Sequence, residues 1–98
     1  PIPVIGDNII TVPNAFSPNG DGWNDVIQVI ASGDIVEFEF NIFDRWGNLM
    51  FNTSQLENTW NGTYNGQQLN SGVFTYTITA VFFDGFRVNK GGNITLMR

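Results

Sequence analysis

The stretch Val73-Phe74-Thr75-Tyr76-Thr77-Ile78-Thr79-Ala80-Val81-Phe82-Phe83 decides the fold class. Its side chains alternate with period two. Phe74, Tyr76, Ile78, Ala80 and Phe82 share one face, while Val73, Thr75, Thr77, Thr79 and Val81 share the other. This is the pattern of a strand with one face in a core. Threonine on the second face suits a pleated surface that meets water. An earlier segment repeats the pattern, with Val36, Phe38, Phe40 and Ile42 on the apolar face and Glu37, Glu39 and Asn41 opposite. Shorter strands are expected over residues 9–12, 26–30, 49–52, 86–88 and 93–97.

Turn chemistry separates these runs. Asp84-Gly85 predicts a two-residue hairpin, because both central positions tolerate positive φ. Asp44-Arg45-Trp46-Gly47-Asn48 predicts a slightly longer hairpin loop, and Asn19-Gly20, Asn61-Gly62 and Asn65-Gly66 mark further turns. No window carries apolar residues at helical spacing, and 11 glycines oppose long helices. The expectation is an all-β, immunoglobulin-like antiparallel β-sandwich of about seven strands. It forms one domain over residues 9–98, preceded by a linker remnant over residues 1–8, so the chain reads as a module cut from a longer protein.

Composition narrows the function. Hydrophobic residues make up 42% of the 98, enough for one core in a chain of this length. There is no Cys and no His, which removes thiol nucleophiles, imidazole bases, zinc–thiolate sites and disulfides. Formal net charge is −5, and the only cations are Arg45, Arg87, Lys90 and Arg98. They are too few and too scattered to track a phosphate backbone, so nucleic acid is not an expected partner. No apolar run reaches the roughly 18 residues of a membrane-spanning helix, and no basic segment followed by an apolar one marks a signal peptide at the start. A monomer with no membrane insertion is expected.

Four constellations bear on chemistry or binding. The loop Asn14–Asp25 gathers oxygen-bearing side chains among glycines. Aligned on a calcium loop beginning at Ser17, Asn19, Asp21 and Asp25 fall at ligand positions. The match fails at both ends, where Ser17 and Gln28 stand for acidic ligands, and no flanking helices are expected. The competing reading, which we favour, is that these side chains hydrogen-bond their own backbone in Asx-turns, and then no cofactor is needed. Glu37 and Glu39 share the wet face of a strand, without the cleft that paired catalytic carboxylates require. The four serines have no His to activate them. An enzyme is therefore not expected. Trp23, Trp46 and Trp60 raise a rival function, a carbohydrate-stacking or adhesive surface; packing is expected for Trp23 and Trp60, and Trp46 is left open.

Four segments carry a family resemblance. Val12-Pro13-Asn14-Ala15-Phe16-Ser17-Pro18-Asn19-Gly20-Asp21-Gly22-Trp23-Asn24-Asp25 resembles the opening motif of the gliding-motility-associated C-terminal domains, the type B sorting domains of the Bacteroidota type IX secretion system. Ile42–Phe51 is similar to their central hairpin, and Asn93–Arg98 to their terminal strand. Trp60–Gly66 followed by Ser71–Phe74 matches a wider pattern of bacterial immunoglobulin-like domains. The resemblance implies a non-catalytic sorting signal on a larger cargo such as a surface adhesin. The cargo would cross the periplasm and then the outer-membrane translocon, with a dedicated partner protein, to the cell surface or beyond. Two partner contacts are expected. One is the terminal strand, with Ile94, Thr95, Leu96 and Arg98, acting as a sheet edge that a partner strand extends, unless it simply closes the sandwich. The other is the loop with Arg45, Trp46 and Gly47, where a guanidinium can make bidentate contacts, unless Arg45 is spent holding the loop itself.

Overall fold

The structure, a computed structural model, describes residues 9–20, 22 and 24–98; the expected linker over residues 1–8 lies outside the described residues, as do Asp21 and Trp23. Among the described residues there are nine strands and no helix: β1 (Ile10–Thr11), β2 (Ala15–Phe16), β3 (Ile30–Ala31), β4 (Ile35–Phe43), β5 (Leu49–Thr53), β6 (Thr63–Tyr64), β7 (Gln67–Gln68), β8 (Gly72–Phe82) and β9 (Arg87–Leu96). The main layer is a five-stranded sheet in the order β2-β9-β8-β4-β5. Facing it are short pieces: the β1–β3 pair, the β6–β7 ribbon, and one bridge between Ile27 and Trp60. The chain is an all-β sandwich whose second layer is discontinuous.

The period-two reading of Val73–Phe83 places the core. Phe74, Tyr76, Ile78, Ala80 and Phe82 are all buried, on the central strand of the main sheet. Phe40 and Ile42 of β4 flank them on one side, and Ile94 and Leu96 of β9 on the other. Phe16, Ile10, Ile27, Val29 and Trp60 close the core from the edge and from the second layer. Each large apolar side chain taken fully out of water stabilises the fold by about 1.5–3 kcal/mol. The opposite face is polar: Thr77 stands between Asn41 and Gly91, and Asn41 receives a 2.5 Å hydrogen bond from Asn52.

Several expectations are corrected. Val36 does not join Phe38 and Phe40, because a bulge between Ile35 and Glu37 puts Ile35 opposite Phe82 and leaves Val36 57% exposed. Val81, expected on the wet face, is 9% exposed. The strands expected over 86–88 and 93–97 are one strand, since Asn89–Gly92 stays in unbroken register with Thr79–Tyr76. β2 lies parallel to β9, so the sheet is not wholly antiparallel. Pro13 precedes β2 at the point where the chain crosses from the small sheet of β1 to the main one, and a residue without N–H suits that break. The small strands β2, β6 and β7 raise the count above the expected seven or so, because two-residue ladders leave no periodic trace.

The hairpin at Asp84-Gly85 also differs. Phe82 donates its N–H to the Phe86 carbonyl at 2.9 Å, so three residues, Phe83 to Gly85, form the loop. Only Gly85 has positive φ, at 89°, which is the three-residue turn closed by a glycine in the left-handed region. The two-residue form occurs instead at Asn65-Gly66 between β6 and β7, where both φ values are positive, 53° and 80°.

Burial decides what each phenylalanine contributes. Phe40 is 0% exposed and Phe83 is 80% exposed. Phe40→Ala is expected to cost about 3–5 kcal/mol, and Phe83→Ala less than about 0.5 kcal/mol. Urea unfolding of both variants checks the assignment, and equal losses would contradict it.

Candidate partner-binding end of the sandwich

Strand directions bring the sequence-predicted site residues to one end. β4 finishes at Phe43 beside Thr75, near the start of β8, and β9 finishes at Leu96 opposite Gly72. The Asp44–Asn48 loop, the segment 69–73 and Arg98 therefore lie together, and the loop after β2 leaves from the same end.

The Asp44–Asn48 loop is built like the one at Phe83–Gly85. Asp44 N–H donates to the Asn48 carbonyl at 2.9 Å, Gly47 N–H donates to the Asp44 carbonyl at 3.0 Å, and Gly47 has φ 85°. The Asp44 carboxylate organises the tip: one oxygen accepts the N–H of Trp46 (2.9 Å) and of Asn48 (2.8 Å), and the other accepts the Asn48 amide (3.1 Å). Partial burial works against ionisation of this carboxyl. The hydrogen bonds from Asn48, Trp46 and Gly47 outweigh it, and its pKa sits below the ordinary carboxylate value. With Asp44 holding the turn, Arg45 is released from that task. Its guanidinium lies 5.9 Å from the Trp46 ring centroid, and Trp46 is 78% exposed. Between this loop and residues 69–74 runs a groove of about 170 Å³ whose lining includes Met50, Leu69 and Val73.

The terminal strand is placed differently from the expectation. Ile94 and Leu96 are buried in the core, and Thr95 is half-buried. Their strand is paired on both sides, with β8 along one edge and, along the other, with β2 through Thr95 N–H to Asn14 O and Met97 N–H to Phe16 O, both 2.9 Å. Residues 94–97 therefore offer no free edge. Arg98 serves as a tie: its backbone N–H donates to Ser71 Oγ at 2.8 Å, Nε to the Leu69 carbonyl, and a terminal nitrogen to the Gly62 carbonyl at 2.9 Å.

Sequence reasoning gave Gly62 only a turn, whereas the structure makes it a packing point. It has φ 83°, and a Cβ there would lie 3.0 Å from the Arg98 guanidinium, 3.3 Å from Leu96 and 3.4 Å from Phe16. Just before it, Trp60 packs at 5.4 Å from Phe16 and 5.2 Å from Phe74, with its indole N–H on the Thr63 carbonyl at 3.0 Å. Trp60, 2% exposed, is thus unavailable to a stacking platform with Trp46.

In the loop after β2, Asp25 hydrogen-bonds nearby backbone. One carboxylate oxygen accepts the N–H of Asn19 and of Gly20, each at 3.1 Å, and the other accepts that of Gly22 at 2.7 Å. This is the turn-holding role expected for it. Asn19 is exposed, and Asp21, the remaining member of the calcium alternative, lies outside the described residues. Glu37 and Glu39 are exposed on the wet sheet face, as expected.

Two outcomes test this geometry. Gly62→Ala meets both positive φ and crowded side chains, while Gly66→Ala meets positive φ and open space. Gly66→Ala should cost about 1–2 kcal/mol and Gly62→Ala more, about 2–4 kcal/mol; equal losses in chemical denaturation would remove the packing role. For Asp44 the lowered folded pKa means its stabilising bonds are complete above the unfolded carboxylate value near 3.9 and are lost as pH falls through the lower folded value. The Trp46 and Asn48 amide resonances should titrate together in that acidic window, and Asp44→Ala should abolish the titration.

Comparison with known proteins agrees with the architecture. The crystal structure of CopC from Methylosinus trichosporium OB3b superposes with a TM-score of 0.59 at 14% identity, covering 88% of this chain and 84% of that one, a likeness of fold. No curated protein matches the sequence. The family model of the type IX secretion signal domain (CHU_C) matches residues 10–96, which takes in the sandwich from β1 to the end of β9. The chain belongs to the type IX secretion signal domain family.

Proposed function

We propose that this domain is a non-catalytic C-terminal sorting signal that takes a larger cargo protein through the periplasm and the type IX outer-membrane translocon to the cell surface or medium. The observation that carries the reading is the family match across almost the whole sandwich. Type IX secretion signals engage the secretion machinery and lead to export, and the family is in general non-catalytic. Gliding-associated adhesins of Bacteroidota are the cargo class that the sequence resemblance suggests, with a dedicated outer-membrane partner.

Physical features support such a role. The signal is a folded shape: Phe16, Trp60 and Leu96 come from distant parts of the chain and meet in one core. A translocon component that reads the fold needs exposed, ordered side chains, and the Arg45-Trp46 tip supplies them. An exposed indole stacked under a guanidinium offers a large rigid contact with a charged end, a combination enriched at interface hot spots. Beside it, the groove along Leu69 and Val73 gives an apolar floor.

The test is delivery of a fluorescent reporter carrying an N-terminal export signal and Pro1–Arg98 at its C-terminus, in a host with the type IX system and its cognate partner. Surface exposure that disappears in a translocon-deficient strain is the expected result. A folded reporter retained in the periplasm despite the cognate partner would overturn the reading. Arg45→Ala with Trp46→Ala should lower surface delivery at least about tenfold while shifting stability by less than about 1 kcal/mol; undiminished delivery would move the contact elsewhere on the domain.

A further inference from the structure

β9 is covered by β2 only at Thr95 and Leu96. The parity of its hydrogen bonds fixes what the remainder exposes. Thr95 and Met97 turn their N–H groups toward Asn14 and Phe16, away from β8. At the other end, Phe86 is bonded back to Phe82. Even-numbered residues of β9 therefore exchange hydrogen bonds with β8, and odd-numbered ones point outward. Along the uncovered stretch the outward residues are Arg87, Asn89, Gly91 and Asn93, and among the described residues no strand pairs with them on that side.

The chemistry of this edge is unlike the rest of the domain. All nine acidic residues precede Arg87, whereas Arg87, Lys90 and Arg98, three of the four cations, fall in the last twelve residues. Arg98 is tied to carbonyls, which leaves Arg87 and Lys90 exposed on opposite faces of the open segment. Gly91 and Gly92 follow, also exposed; the Tyr76 ring lies over Gly92, 3.0 Å from where a Cβ there would sit, and Gly91 carries no side chain. An added strand would meet a positive charge on each face of the open segment.

We propose that the edge from Arg87 to Asn93 is a β-augmentation site that takes an extended acidic strand from a partner protein. Main-chain bonds to Arg87, Asn89, Gly91 and Asn93 supply binding, and carboxylates beside Arg87 and Lys90 select the partner. A second copy of this chain is a poor occupant. Antiparallel pairing of two such edges about their midpoint sets Lys90 against Lys90, and like charges directly opposite are destabilising. The proposal stands on edge geometry and charge and is independent of the export reading. Loss of reporter delivery with peptide binding intact would count against that reading alone.

The test uses the ¹⁵N-labelled 98-residue chain and two synthetic peptides, acetyl-Thr-Glu-Val-Thr-Glu-Val-Thr-amide, whose glutamates fall on opposite faces of a strand, and the same sequence with lysine for glutamate. At millimolar acidic peptide, amide exchange at Asn89, Gly91 and Asn93 should slow at least about tenfold. Val88, Lys90 and Gly92, already bonded to β8, should change little. The lysine peptide should bind at least about tenfold more weakly. Asn89→Pro removes an outward N–H without touching the β8 ladder and should abolish the protection, and the double variant Arg87→Glu, Lys90→Glu should reverse the peptide preference. Native-like spectra of the two variants establish that they fold. Absent protection, protection at β5 instead, indifference to peptide charge, or concentration-dependent dimerisation through this edge would each overturn the proposal.

Discussion

Trp60 is the constraint on which the second layer depends. That layer has no continuous ladder: the β1–β3 pair and the β6–β7 ribbon are two residues deep, too little to hold position by backbone bonds alone. Trp60 joins them to the main sheet. Its backbone exchanges two hydrogen bonds with Ile27, its ring packs between Phe16 and Phe74, and its N–H reaches the Thr63 carbonyl at the root of the ribbon. The indole is one of the few side chains that can fill such a gap and still satisfy a polar group there. Gly62 follows because a Cβ there would crowd Arg98, Leu96 and Phe16 at a φ that side chains rarely adopt.

The main sheet was far more legible in the sequence than its partner layer, for a physical reason. Long strands with one wet face write their burial as alternation, so Phe74 to Phe82 could be assigned to the core residue by residue. A bulge erases that record locally: Ile35 and Val36 are both β-branched and apolar, and nothing in the pair says which faces in. β2 is shorter still, and its parallel partner lies about 80 residues away, a separation that local pattern cannot bridge. The Asp-Gly pair at 84–85 is compatible with two loop lengths, and the choice rests on strand twist and on Phe82 pairing with Phe86.

The candidate site shows the same division. Exposure of Trp46 follows from its place in a tight polar loop, and the Asp44 carboxylate holds the turn as short acidic side chains commonly do. The place of the terminal strand is not legible from its residues, because Ile94 and Leu96 read equally well as the inner face of an edge strand or of an interior one. β2 decides that question, and β2 was invisible. Its shortness has a second consequence: it shields the end of β9 and leaves the beginning without a strand neighbour on that side among the described residues.

A domain with this arrangement couples its terminal residues to its overall shape. The last turn of β9 lies between two neighbours, Leu96 packs beneath Gly62, and Arg98 ties segments that begin more than 25 residues earlier. The Arg45-Trp46 tip adjoins the same end, because β4 and β9 both run toward it. Charge follows a different division: the acidic residues occupy the chain up to Asp84, and three of the four cations follow it. In a molecule of net charge −5, exposed Arg87 and Lys90 give this edge of β9 cations that most of the chain lacks. An acidic strand paired at this edge would meet those two cations rather than the carboxylates that dominate the chain, so charge as well as geometry would limit what pairs there.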